Sequence, residues 1–98
     1  MISTKQRAYL RSLANPLKPS LTIGKGEIDD SLLKTIDNAL TAHELIKIKV
    51  LPTSEKGLDV LLEELSAKTQ SEPVNRLGRV LTLYRHNEKK KDAIVLPA

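Results

Sequence analysis

The sequence predicts a compact α/β domain in which a small mixed four-stranded sheet packs on helices in two layers. Three observations predict this fold class. Apolar residues recur at helical spacing in three separate stretches of the chain. A run in which apolar residues and lysines alternate lies between the last two stretches, with the period of a strand. Near the end, two short strand-like runs flank a glycine, as in a tight hairpin. The predicted order is therefore α-β-α-β-α-β-β.

The first helix and strand are predicted from capping and stop signals. Ser3 or Thr4 can cap a helix that extends to about Ala14, and Pro16 prevents its continuation. A short strand follows at residues 21–23 and ends at a glycine-containing loop.

The second helix and the central strand are predicted from periodicity. The helix extends from about Asp29 to His43, and its acidic start suits the positive end of a helix dipole. In the following "ELIKIKVL", the alternating residues Ile46, Ile48 and Val50 form a buried face, and the lysines between them form a solvated face.

The remaining elements are a helix and a hairpin. Ser54 is predicted to cap a third helix of about Glu55–Gln70, with leucines along one side. Strands at residues 72–77 and 80–85 are joined by a tight turn at Gly78.

Length and composition limit the class of protein. At 98 residues, the chain 1–98 is predicted to be one domain, with a core at about residues 3–86 and a tail at 87–98 that is basic and then apolar. The apolar part, Ile94–Leu96, is expected to dock on the body. The absence of cysteine excludes disulfides and thiolate metal sites. With no signal-peptide pattern and no apolar run of the ~20 residues that a membrane helix needs, the sequence predicts a soluble cytoplasmic protein and a monomer.

Charge is segregated along the chain. Residues 1–26 hold five bases and no acid, residues 27–72 hold five lysines and ten acids, and residues 73–98 hold six bases and two acids. Such segregation favours a nucleic-acid partner. The alternative is that the basic residues only keep a small protein soluble.

Enzyme chemistry is not indicated. His43 and His86 are the only histidines, and neither lies in a pattern with metal-ligand or catalytic spacing. No serine lies in a GxSxG motif. We therefore expect no catalysis, no metal and no cofactor.

The glycine loop between the first strand and the second helix allows two interpretations. Gly24-Lys25-Gly26 is not a Walker motif, and a dinucleotide fingerprint would need glycine where Asp29 stands. Glycines let backbone amides approach an anion, and the helix that follows offers free N–H groups. The negative charges of Glu27, Asp29 and Asp30, beside the loop, would repel phosphate. From the residues alone, a plain turn is favoured, with phosphate contact as the alternative.

The hairpin is the other candidate. Arg76, Arg79 and Arg85 lie close together in sequence, with Tyr84 beside them. Arginine and an exposed ring would suit phosphate contact and base stacking, although Tyr84 could instead belong to the core. Two tyrosines are the only aromatic residues, which excludes a platform of stacked aromatics. Any RNA binding is therefore expected to depend on the phosphate backbone and on salt.

Three segments together resemble a known family. They are "STKQRAYLRSLANPLKPSLTIGKGEIDDSLLKTIDNAL", "AHELIKIKVL" and "RLGRVLTLYR". In order and spacing, they resemble the CRM domain in its stand-alone bacterial form, the YhbY-like RNA-binding proteins. The resemblance extends from residue 3 to about residue 86.

The resemblance implies a fold, a partner and a loop. The fold is similar to the C-terminal domain of bacterial translation initiation factor three. Bacterial members are associated with precursors of the large ribosomal subunit, which implies a role in ribosome biogenesis. The family carries a KH-like GxxG loop before the second helix, which falls here on Gly24-Lys25-Gly26-Glu27, with Glu27 in place of the last glycine.

The charge segregation and the family resemblance together predict a non-enzymatic RNA-binding protein. Its predicted partner is ribosomal RNA in a large-subunit precursor. The alternative is a small protein-interaction adaptor whose basic ends bind acidic surfaces. Gly24, Lys25 and Gly26 are predicted to approach a phosphate. The other predicted RNA-binding residues are basic: Arg7, Arg11, Lys18, Lys47, Lys49, Arg79 and Arg85.

Overall fold

The computed structural model describes residues 2–24, 28–52, 57–91 and 93–97. The element order is the predicted one. The elements are α1 (Thr4–Ala14), β1 (Leu21–Ile23), α2 (Asp30–His43), β2 (Leu45–Val50), α3 (Leu58–Thr69), β3 (Glu72–Leu77) and β4 (Val80–Tyr84). Within the described ranges, no helix is long and apolar enough to cross a membrane.

The first two helices begin at side-chain caps. Ser3 Oγ accepts a hydrogen bond from Gln6 N at 3.1 Å, and Gln6 Oε1 accepts one from Ser3 N at 2.9 Å, which completes a capping box. Asp29 caps α2 by accepting from Leu32 N at 2.8 Å. The helix itself starts one residue later than predicted, because Asp29 retains the extended backbone of a cap.

The start of the third helix differs from the prediction. It begins at Leu58, and its N-cap is Gly57, which makes no side-chain capping bond. Ser54, the predicted cap, lies outside the described residues. Glycine is a poor residue inside a helix, and here its extended backbone marks the start of α3 three residues after the predicted one.

The strands form one mixed sheet in the order β1-β2-β4-β3. β1 is parallel to β2, and the other neighbours are antiparallel. Gly78, with φ of 60°, forms the two-residue hairpin turn that brings Leu77 opposite Val80. A register shift between Pro73 and Asn75 interrupts the β3–β4 ladder.

Both faces of the sheet carry helices. Ile46, Ile48 and Val50 face α2 and α3, as the alternation predicted, in a core with Leu81 and Leu83. α1 lies on the opposite face, where its buried residues pack against a second cluster of Leu45, Val74 and Tyr84. The α/β class and the mixed sheet are confirmed. The layer formed by α2 and α3 is complemented by a partial layer on the other face.

The C-terminal strap (residues 86–91 and 93–97) completes the second cluster. Ile94 and Leu96 pack against it, whereas Val95 between them is 81% exposed. Gln6 Nε2 donates to the carbonyl of Pro97 at 3.0 Å and so ties the strap to α1. The expected docking of the tail is therefore made by Ile94 and Leu96.

Candidate nucleic-acid interface

Two lysines project from the face of β2 that α2 and α3 leave uncovered. Lys47 and Lys49 alternate with the buried isoleucines, so both point toward the α1 side of the sheet, about 7 Å apart along the strand. Lys49 is exposed, and its neighbours across the sheet are Thr22 and Val80. The middle of the sheet therefore presents lysine to solvent.

Lys47 also organises the chain beside it. Its ammonium donates to the carbonyl oxygens of Asn15 at 3.4 Å and Leu17 at 3.2 Å, just beyond the C-terminal end of α1. The Asn15 carbonyl lies at the negative end of the α1 dipole, where a cation is stabilising, and the Leu17 carbonyl lies in the connection just beyond it. Lys47 thereby fixes the connection from α1 to β1.

Two more predicted cations lie around Lys47. Exposed Arg11, in the last turn of α1, lines a small cavity of about 100 Å³ together with Lys47 and Thr82. Lys18, in the connection after α1, lines a depression of about 440 Å³ that also includes Lys47. We call these four residues the cationic face: Arg11, Lys18, Lys47 and Lys49. Among the described residues, none of the four forms an ion pair.

The glycine loop is described only at its beginning. Gly24 follows β1, and a Cβ added there would lie 3.5 Å from Leu51 Cδ1, an ordinary contact. The space at Gly24 therefore tolerates a side chain. Lys25 and Gly26, and the departure at Glu27, lie outside the described residues.

The predicted hairpin arginines mainly hold the fold together. Arg85 donates to Asp37 Oδ1, the carbonyls of Asp37 and Thr69, and Thr41 Oγ1, all at 2.6–2.9 Å. Arg79 donates to the carbonyls of Val50 at 2.9 Å and Leu51 at 2.7 Å. These bonds connect the hairpin to α2, α3 and the end of β2, so both guanidinium groups already have acceptors.

Arg7 and Arg76 are similarly engaged. Arg7 Nε donates to the carbonyl of Pro73 at 3.2 Å, which joins α1 to β3. Arg76 Nε pairs with Asp59 Oδ1 at 2.9 Å on the α3 side of the sheet. Arg7, Arg79 and Arg85 thus each donate to acceptors within the fold, and Arg7 lies one helical turn before Arg11 on α1.

The two tyrosines lie in different environments, and Tyr84 takes the core alternative. Tyr84, considered as a stacking residue, is 4% exposed and belongs to the second cluster, which excludes it as a platform for a base. Tyr9, on α1, is 39% exposed. The buried residues of α1 are instead Leu10 and Ala14.

The environment of Tyr84 gives a pH prediction. Burial, and secondarily the negative charge of Glu44, raise the pKa of the Tyr84 phenol above 10.0. Because the pKa is higher in the folded than in the unfolded state, the associated stability is present below pH ~10 and is lost as the pH rises through the raised pKa. We expect the free energy of unfolding of Tyr84→Phe, measured by urea denaturation, to fall less steeply above pH ~10 than that of the wild type. Equal alkaline slopes for the two proteins would contradict this.

Glu44 is the residue that sequence analysis missed. It is fully buried, at 0% exposure, between α2 and β2, with φ of 64°. Its Oε1 accepts from Ile94 N at 2.8 Å, and its Oε2 accepts from Asn87 N at 2.9 Å and lies 3.2 Å from His86 Nδ1. One carboxylate therefore anchors the C-terminal strap near its start, at Asn87, and again at Ile94. In the sequence, Glu44 is a single acidic residue between a helix and a strand, and such residues are usually exposed at the protein surface.

The described residues give no metal centre. Among them, no three histidine, aspartate or glutamate side chains are grouped so that they could hold a metal ion. The chemistry available at the cationic face is attraction and hydrogen-bond donation to anions.

The sequence matches a known family. A family model described as the CRS1 / YhbY (CRM) domain matches residues 2–85. The chain belongs to the CRS1/YhbY (CRM) domain family, as the sequence resemblance predicted.

Individual relatives are similar over nearly their whole length. The Bacillus subtilis protein named "Probable RNA-binding protein YqeI" is 37% identical over 97 residues, which cover 99% of this chain and 100% of the relative. A Haemophilus influenzae protein named "RNA-binding protein" is 34% identical over 90 residues, with 92% and 91% covered. The solution structure of SAV1595 from Staphylococcus aureus matches with a TM-score of 0.83 and 41% identity, covering 99% of this chain and 100% of that one.

Proposed function

We propose that this protein binds RNA in the cytoplasm, on precursors of the large ribosomal subunit, mainly through contacts to the phosphate backbone. The observation that carries the proposal is the cationic face, where Arg11, Lys18, Lys47 and Lys49 surround the exposed side of β2 without an ion-pair partner among the described residues.

The two sides of the sheet differ in charge. The acidic residues of α2 and α3 lie on the opposite side from the cationic face, and two of them, Asp37 and Asp59, pair there with arginines. A polyanion that approaches the α1 side thus meets these four cations, and Glu72 of β3 is an acid that lies on the same side of the sheet. Sorting of this kind is the electrostatic footprint of nucleic-acid binding.

We propose that the glycine loop extends the cationic face. β1 and the start of α2 flank it, next to the end of β2, so Gly24, Lys25 and Gly26 would contact a phosphate beside Lys49. Arg7, Arg79 and Arg85 would stabilise the fold and not contact the RNA, because their donors hold β3, β2 and α2 in place. The RNA-binding names of the full-length relatives agree with this partner.

An affinity measurement tests the proposal. Arg11→Ala/Lys49→Ala should bind a fluorescein-labelled single-stranded RNA about tenfold more weakly near 100 mM salt. The slope of log K against log salt should fall by about 1.4, because two phosphate contacts are lost. Fluorescence anisotropy at several salt concentrations gives both values.

A matched control removes two positive charges elsewhere. Lys34 lies on α2, and Lys68 lies on α3, where it pairs with Glu64 at 3.2 Å. Lys34→Ala/Lys68→Ala should keep nearly the wild-type affinity and slope. If the two double variants weaken binding equally, net charge and not the cationic face determines affinity.

The second candidate function is a protein-interaction adaptor. The same surface would suit an acidic protein, since the cations alone do not distinguish the two partners. Sedimentation of a cell lysate separates the hypotheses. Migration with large-subunit precursors that ribonuclease abolishes supports RNA binding, and migration that resists ribonuclease supports the adaptor.

A further inference from the structure

A depression at one end of the cationic face has a composition that the phosphate contacts do not explain. It measures about 440 Å³, and its walls include Leu13, Leu17, Ile94 and the exposed His43. Lys18 and Lys47 lie at the same depression. We name it the His43 depression.

We propose that the His43 depression receives one unstacked base of the bound RNA, while Lys18 holds an adjoining phosphate. The inference rests on the proposed function and deepens it, because it adds a contact to a base to those made with the backbone. It assigns roles to three residues that the phosphate contacts leave unused: His43, Leu17 and Ile94.

The apolar walls carry the first part of the argument. Leu17 is 42% exposed, a large apolar side chain left in water just after α1. Leu13 and Ile94 are half-buried beside it. A nucleobase has two apolar faces and polar edges, so an aliphatic wall and an imidazole ring can cover its faces.

The position of the polar groups carries the second part. His43 ends α2, and its ring can stack on a base, as histidine does in RNA recognition. The ammonium of Lys47 is held at the carbonyls of Asn15 and Leu17, so it is fixed at the rim. Exposed Lys18 is one residue from Leu17, which places a cation where the phosphate of an inserted nucleotide would lie.

The third part concerns how the depression is built. Its residues come from α1, the connection after α1, α2, β2 and the strap. Ile94 is held there because its N–H donates to buried Glu44 Oε1 at 2.8 Å. The backbone at Ile94 is therefore held in place before a ligand arrives, which lowers the entropy lost on ordering this wall.

An abasic strand provides the test. The wild type should bind a fluorescein-labelled single-stranded RNA of mixed sequence roughly tenfold more tightly than the same strand without bases, since stacking contributes on this scale per base. Leu17→Ser/His43→Ala should lose that preference. Its affinity for the abasic strand and its salt slope should remain those of the wild type, because stacking releases no counterions.

Two further variants distinguish stacking from damage to the fold. His43→Phe retains a ring and should keep the preference for bases. Val60→Ser changes an apolar residue of α3 that is 61% exposed, and it should leave both affinities unchanged.

The outcomes separate this inference from the proposed function. If the wild type binds both strands equally, or if Leu17→Ser/His43→Ala keeps the preference for bases, the base site is refuted and backbone binding stands. If the wild type binds neither strand, the proposed function fails as well.

Discussion

Replacing Glu44 by alanine is expected to lower the free energy of unfolding by about 3 kcal/mol. The carboxylate is fully buried and accepts from the N–H groups of Asn87 and Ile94. Without it, both donors lose their partner while the strap still covers them, and an unpaired buried donor costs about 1–3 kcal/mol. Urea denaturation followed by circular dichroism gives the difference.

The backbone at Glu44 sharpens this prediction. Its φ of 64° and ψ of −44° are strained for a residue with a Cβ. Glu44→Gly removes the carboxylate but relieves the strain, so it should be less destabilising than Glu44→Ala, by up to about 1 kcal/mol. Glu63→Ala, at an exposed position of α3, should change stability by less than about 0.5 kcal/mol. A Glu44→Ala protein as stable as Glu63→Ala would show that the strap needs no anchor.

Arg85→Ala is expected to lower the free energy of unfolding by about 2 kcal/mol and to leave RNA affinity unchanged. Most of this loss comes from the bonds to the carbonyls of Thr69 and Asp37 and to Thr41 Oγ1. The ion pair with the Asp37 carboxylate contributes little, because that side chain is 54% exposed. Denaturation and RNA anisotropy on the same preparation measure both quantities.

Arg76→Ala is the matched control for Arg85. Its pair with Asp59 is also short, at 2.9 Å, but the two side chains are 39% and 83% exposed. Its loss should therefore cost less than about 1 kcal/mol. If Arg85→Ala instead weakens RNA binding at unchanged stability, Arg85 is a contact residue, as the sequence alone suggested.

The secondary structure was predictable because it depends on local signals. The alternation from Ile46 to Val50 gave the correct buried face, and the cap at Ser3 gave the correct start of α1. The start of α3 was predicted too early because Ser54 has a side chain that can cap a helix, whereas Gly57, the actual N-cap, has none. Lys47 and Lys49 were placed on the solvated face for the same local reason, and the structure agrees.

The parts of the site that depend on distant residues could not be predicted. Glu44 looked like a surface acid because its partner Ile94 is 50 residues away. Arg79 and Arg85 were predicted as RNA-binding residues from their place in the sequence, and their bonds within the fold were not foreseen, because most of the acceptors are backbone carbonyls that leave no trace in composition. The His43 depression is likewise built from separate elements that meet only in the folded chain.

The two edges of the sheet bear on how the protein behaves when it is abundant. An exposed edge strand can pair with the same strand of another molecule and so begin aggregation. Here one edge, β1, has only three residues. The other, β3, carries Pro73, which has no N–H to donate, and a register shift beside it. Neither edge therefore offers another molecule a long uninterrupted row of backbone hydrogen-bonding groups. We expect the protein to resist edge-to-edge pairing of its sheets at high concentration.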